Sequence, residues 1–215
     1  MRLFFNLPQN RRGPVSVKEN RERWNKRFSK RPMIQPSTPG FIEERYEQML
    51  PGTVLDVASG DGAAALYLAT KGFTVTAIDI SEVALERLDV FAQELHLEVA
   101  TCVVDLDQPS SLTSLGTFNN IVIAHFKPET NYWPLLVSLL RPGGKLLLST
   151  FSLEHHLEKG FSRRFCLEEK ELVNVSDQLA LEHHASVNRN GSYMDDYLFR
   201  RVDQPHLKLR TQQET

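Results

Sequence analysis

Two cysteines are all that this 215-residue chain contains. Cys102 and Cys166 lie far apart and form no CxxC pair, so neither a disulfide framework nor a zinc motif is expected. Long apolar runs are missing as well. No stretch approaches the roughly 18 residues that suggest a membrane span. The N-terminus carries Leu3-Phe4-Phe5 but no leader-length apolar region and no small-residue cleavage site, so no signal peptide is expected. A reducing cytosol fits these absences, and the chain is expected to be cytoplasmic. Internal repeats and low-complexity segments are absent too. What remains is ordinary: 41% hydrophobic and 24% charged residues, a globular composition with length enough for one sizeable core.

The net charge is only -2, but it is unevenly spread. Residues 1–31 hold ten Arg or Lys and two Glu, so that segment is +8 and the remainder -10. Such asymmetry fits an anionic ligand or partner near the N-terminus. It fits equally a solvated basic helix paired with an acidic body.

Along the chain, residues 1–15 read as irregular, with Pro8, Gly13 and Pro14 as breakers. Ser16 caps a helix running to about Lys30, ended by Arg31-Pro32. A second helix is expected from Phe41 to Leu50. Then strands and helices alternate. Strands are expected at Thr53–Ala58, Phe73–Asp79, Leu97–Val104, Phe118–Ala124 and Lys145–Phe151. Helices are expected at Ala63–Thr70, from Ser81 to about Leu95, and from Pro128 to about Leu140. In the helix after Ser81, Val83, Ala84, Leu88, Phe91 and Leu95 are expected to share one face. Arg141-Pro142-Gly143-Gly144 reads as a turn. A loop at 152–166 and a short helix near 167–174 follow. Two extended segments, Leu179–Asn188 and Tyr193–Val202, flank Asn190-Gly191, a hairpin signal. The alternation predicts an α/β fold: a doubly wound, mostly parallel, seven-stranded Rossmann-like sheet with a C-terminal antiparallel hairpin and N-terminal helices. Ile121-Val122-Ile123 and Leu146-Leu147-Leu148 agree, since strands of such sheets are buried on both faces.

The chemistry starts at Val54-Leu55-Asp56-Val57-Ala58-Ser59-Gly60-Asp61-Gly62. Gly60 and Gly62 allow close backbone approach and positive φ. The next helix starts just beyond, so its first N–H groups face the crevice. Glycines alone mark nothing more than a tight strand-to-helix turn. Three acids give the turn a context. Asp56, Asp79 and Asp105 end the first three strands, on the rim where such sheets bind ligands. Asp79 is spaced to take ribose hydroxyls, Asp105 an adenine amine, and Asp56 a ligand ammonium or the loop itself.

The order VLDVASGDG, ALYLATKGFTVTAIDIS, ALERL, VVDLDQ and LLRPGGKLLLSTF resembles the class I S-adenosylmethionine-dependent methyltransferases. LYLATKGFTVTAIDISEVALERL looks most like their small-molecule branch with tellurite-resistance and thiopurine-type enzymes. The likeness covers about 50–200. It implies three parts: 1–50 as an arm and helices covering the site, 51–205 as the methyltransferase domain, and 206–215 as a tail. It implies S-adenosyl-L-methionine as cofactor. Asp56, Ala58 and Gly60 would line its methionine part, Asp79 its ribose, and Ile80, Asp105 and Leu106 its adenine. Ala124 would lie beside the sulfonium, with Trp24 and Arg27 covering the site. The family usually has glycine at Ala58, where alanine is tolerable if φ is negative.

His125 follows Ala124 at the mouth of the crevice, where it orients substrate, takes a proton, or is a plain loop histidine. Arg163-Arg164 read either as a clamp for an anionic substrate or as a solvated pair. His155-His156 and His183-His184 are not a metal site, because adjacent residues point apart and no further ligand is spaced to complete one. The expected reaction is methyl transfer to a small thiol or chalcogen-containing acceptor, an anionic one suiting the basic segment. Such a soft nucleophile needs no strong base. A nucleic-acid or protein methyltransferase is the first rival, supported by the basic segment. Against it, Ala124-His125-Phe126-Lys127-Pro128 lacks the base-flipping run. An NAD-dependent oxidoreductase is the second, disfavoured by the missing first glycine.

Overall fold

A computed structural model describes residues 17–106, 112 and 114–202. The expected irregular stretch 1–15, its Ser16 cap and the 206–215 tail lie outside the described residues.

The first helix, α1, spans Val17–Ser29, and α2 spans Gly40–Arg45. The expected second helix is thus shorter, because its last turn tightens into a 3-10 turn, Tyr46–Gln48. The alternating part follows as β1 Thr53–Val57, α3 Ala63–Thr70, β2 Thr74–Asp79, α4 Glu82–Glu94, β3 Val99–Val103 and β4 Phe118–Ala124. Ser81 caps α4, its side chain accepting from Ala84 N at 3.2 Å. The face of α4 differs in detail from expectation: Ala84, Leu85, Arg87, Leu88, Phe91 and Ala92 are buried, while Leu95 is exposed.

The last third departs further. α5 is Trp133–Leu139, preceded by a 3-10 turn at Thr130–Tyr132. Pro134, not Pro128, takes the first-turn position, because Glu129 before it is still extended. β5 runs Leu140–Phe151 and absorbs the expected turn as an irregularity: Phe118 pairs with Leu140, but Asn120 pairs with Lys145. The expected loop after β5 contains a helix, α6, Leu153–Lys159, closed by Gly160 at φ 65°. A 3-10 turn follows at Arg163–Phe165. The helix expected near 167–174 is instead a chain of turns. Lys170 has φ 55°, and Glu171, Val173 and Val175 bond back three residues rather than four. β6 Leu179–Arg189 and β7 Ser192–Arg201 form the hairpin, with Asn190 and Gly191 both at positive φ.

The sheet order is β3-β2-β1-β4-β5-β7-β6, parallel except for β7 against its two neighbours. Strand order reverses between β1 and β4, so a crevice opens at their carboxyl ends. One face packs Trp133, Leu136 and Val137 of α5 against Ile121, Ile123 and Tyr197. The other packs α2, α3 and α4 through Phe41, Leu66 and Leu88 onto Val54, Val122 and Leu147. Each such fully buried aliphatic side chain contributes about 1.5–3 kcal/mol relative to exposure. Asn120 is the polar exception in β4. It is fully buried, donates to Leu50 O at 2.7 Å and accepts from Leu50 N at 2.9 Å. That pair ties the strand to the connection before β1 and sets the register of the crevice. Among the described residues, no helix is long and apolar enough to cross a membrane.

Candidate active site

One side of the crevice is made of backbone. Ala58 has φ 55°, Gly60 φ 56° and Gly62 φ 91°. The loop therefore turns left-handed three times on its way into α3. For Ala58 the condition of a negative φ is not met: alanine here carries strain of roughly 1–2 kcal/mol. Gly62 has no room for a side chain, since an added Cβ would lie 2.2 Å from Leu88 Cδ1. Gly60 faces outward, and an added Cβ would meet Phe28 Cζ at 3.1 Å.

The acids diverge in role. Asp56 is 1% exposed, beneath the loop rather than in the crevice. Burial pushes its carboxyl up to about 8, against a hydrogen bond from the Ala65 backbone in the other direction. Burial thus favours its protonated form. Asp79 accepts from Gly60 N and from Ser81 N, each at 2.8 Å. Burial raises its pKa, and the N–H groups of Ser81, Gly60 and Ile80 pull it back. A carboxylate has about four lone-pair sites, so with these three N–H groups on it Asp79 keeps acceptor capacity for a hydroxyl. Ile80 is half-buried beside it. Asp105 and Leu106 follow Val104, whose N–H donates to Asp79 O at 2.9 Å. β3 ends at Val103, so Asp105 sits just past the strand instead of on it. The residues fit the adenosyl part of the expected donor: a close-approach glycine, an acid with spare acceptor sites, and partly buried apolar side chains at one rim.

The other side is made of rings. β4 ends at Ala124, and His125 takes φ 58°, with its N–H on Ser149 O at 2.8 Å. The left-handed turn swings the imidazole onto Phe151, with ring centroids 5.6 Å apart. Its pKa is lowered, first by desolvation and then by the charge of Arg31, so the ring is neutral at pH 7. Phe151 stacks on His155 at 4.6 Å and meets Phe161 at 4.6 Å; Phe161 meets Phe165 at 6.0 Å. Arg164 lies 4.4 Å over Phe165, while Arg163 turns away to Glu168 at 2.7 Å. The expected arginine pair is thus split. His155 accepts from Tyr193 N at 3.3 Å, and His156 bonds Phe161 O at 2.6 Å. His183 stacks on Phe41 and His184 on Tyr197.

Over the glycine loop lies α1. Trp24 carries Arg27 over its ring at 5.0 Å, and Phe28, only 5% exposed, stands over Gly60. Asn25 Oδ1 accepts from Ser81 Oγ at 2.7 Å. Sequence reasoning gave no site role to Asn25, Phe28 or the ring cluster. Phe28 sits four residues after Trp24 and was legible as helical spacing. The cluster had no signal, because its members share no spacing.

Comparison with known proteins gives these surroundings a class. Residues 54–144 match the family described as "Methyltransferase domain". A "Ubiquinone biosynthesis O-methyltransferase" of Idiomarina loihiensis is 26% identical over 171 residues, 69% of this chain and 69% of the relative. Five further proteins of that name match over 46–56% of their own length, so the chain spans about half of each. Among solved structures, the Synechocystis magnesium protoporphyrin IX methyltransferase with bound S-adenosylmethionine has TM-score 0.64 at 17% identity. It covers 89% of this chain and 100% of its own. TehB from Haemophilus influenzae has TM-score 0.63 at 16% identity, covering 83% and 67%. The structural likenesses speak to fold. The domain match and the curated relatives make the chain an S-adenosylmethionine-dependent methyltransferase, and the dinucleotide alternative falls.

Proposed function

We propose that the chain methylates an ionisable oxygen on a small acceptor held between α1 and the ring cluster, with His125 taking the proton. The observation that carries this is the placement of His125: a neutral imidazole on a left-handed turn at the end of β4, stacked on Phe151. A thiol or chalcogen nucleophile, the acceptor class expected from the sequence, has no need of a base there. A phenol does. The relatives named as O-methyltransferases support oxygen as well.

The donor supplies a methyl group already activated by positive sulfur. With the donor bound, Asp79 would accept from the ribose, Gly60 would allow close backbone approach, and α1 would keep water out. The acceptor hydroxyl loses its proton to His125 as its oxygen bonds the methyl carbon. The carbon–sulfur bond breaks, and its electron pair stays on sulfur. Alignment supplies much of the rate, since the reacting atoms must be held at roughly 3 Å in line. Arg164 and Arg27 form no ion pair within 4 Å among the described residues, which leaves cations for an acidic acceptor or donor carboxylate.

The test is transfer of labelled methyl to matched acceptors: catechol against thiophenol, each with and without a carboxylate, alongside selenite and tellurite. Transfer to the phenols that collapses in His125→Ala supports the assignment. Transfer to thiol, selenite or tellurite alone, indifferent to His125, overturns it.

A further inference from the structure

Arg87 occupies a position that the pattern of α4 reserves for an apolar residue. It lies three residues after Ala84 and four before Phe91, on the buried face, and its side chain is 8% exposed. A guanidinium is tolerated in such a place only when its donors are satisfied. Here they are. Nε donates to Asp61 Oδ2 at 3.3 Å, and Nη2 to Pro32 O at 2.7 Å. Nη1 reaches Arg31 O at 3.1 Å and Met33 Sδ at 3.0 Å.

These acceptors come from two segments distant in sequence. Asp61 belongs to the loop between β1 and α3. Arg31, Pro32 and Met33 form the exit from α1. The two are also joined directly, since Arg31 Nη1 reaches Asp61 Oδ1 at 3.2 Å. A ring closes: Arg87 to Asp61, Asp61 to Arg31, and the Arg31 carbonyl back to Arg87. Arg31 further lies 4.4 Å over Phe28, the ring that covers Gly60. Gly60 N in turn donates to Asp79. The one buried arginine of α4 thus holds the cover and the loop together without touching the rings of the acceptor side.

We infer that Arg87 is a positioning residue for the donor: through Asp61 and the α1 exit it latches α1 over the loop and sets how fast the donor leaves. The inference rests on the donor lying against that loop.

Stopped-flow displacement of S-adenosylhomocysteine tests it, with Arg87→Met, Arg87→Lys and Arg31→Gln. The expected result is dissociation about 10-fold faster for Arg87→Met, about 3-fold faster for Arg31→Gln, and partial recovery with lysine. At saturating donor, kcat of Arg87→Met stays within about two-fold of wild type, because Arg87 touches no reacting atom, while Arg31→Gln is read by dissociation alone, since the Arg31 charge also acts on His125. S-adenosylhomocysteine protects α1 from trypsin in wild type and fails to do so in Arg87→Met. Arg31→Gln keeps the test open should Arg87→Met not fold, since Arg31 is 40% exposed and Asp61 retains Arg87. Wild-type dissociation rates in all folded variants overturn the inference, as does a fall in kcat with unchanged dissociation. Failure of wild type to bind S-adenosylhomocysteine at all overturns the donor site itself.

Discussion

The two sides of the crevice are built from different material. The side proposed for the donor, from β1 to the start of α4, is main chain: three left-handed residues at 58, 60 and 62, and an acid, Asp79, that holds two N–H groups. The side proposed for the acceptor, from His125 to Phe165, is side chain: five rings in consecutive contact. A backbone site tolerates few residue types, because φ, close approach and N–H direction are set by geometry. A ring wall tolerates many, because any apolar surface of the right shape will do. Such a division keeps the donor constant and leaves the acceptor free to differ among proteins of one fold.

Substitutions on each side should therefore fail in different ways. The largest effect is expected at His125. His125→Ala lowers kcat for a phenolic acceptor by about 100- to 1,000-fold, the usual contribution of a general base, and leaves a thiol within about 10-fold. The pH profile has its own sign. The base form is lost as pH falls through the His125 pKa, and desolvation and Arg31 hold that value below 6.5. The acid limb of kcat/KM for a phenol thus lies below pH 6.5, and it vanishes in His125→Ala. Asp79→Ala comes next. It removes the ribose acceptor and releases Gly60 and Ser81, so donor affinity falls by about 100-fold, with acceptor KM little changed. Phe161→Ala does the reverse, raising acceptor KM by about 10-fold with donor affinity intact. Equal losses of donor from both would break the division. The smallest effect is at Ala58. Ala58→Gly relieves a left-handed alanine but loosens the unfolded chain, so a net gain of about 0.5–1 kcal/mol is expected in denaturant unfolding.

Legibility in the sequence followed the same line. β4 was readable to the residue from its apolar run, and α3 from its glycine-bounded apolar stretch. The acids Asp56 and Asp79 were readable from their spacing to the glycines. That Asp56 lies under the loop was not, because burial depends on α3 packing above it. The helix Leu153–Lys159 was missed even though Ser152 and Gly160 bracket it. A helix was instead placed at 167–174, where polar helix formers are broken by Lys170 at positive φ. Pro128 misled for a related reason: Pro is permitted in any first helical turn, and Pro134 fills that role here. The ring cluster gathers residues from β5, α6 and two loops, so only the fold makes them neighbours. Arg87 carried a signal that went unread, a charge on an apolar helix face.

Calorimetric titration with S-adenosylhomocysteine of wild type, Asp79→Ala and Phe161→Ala tests the division of the crevice most directly. Wild type and Phe161→Ala are predicted to bind one equivalent with matching affinity, while Asp79→Ala binds about 100-fold more weakly. Matching affinity in Asp79→Ala, or a loss in Phe161→Ala as large as that in Asp79→Ala, would contradict it.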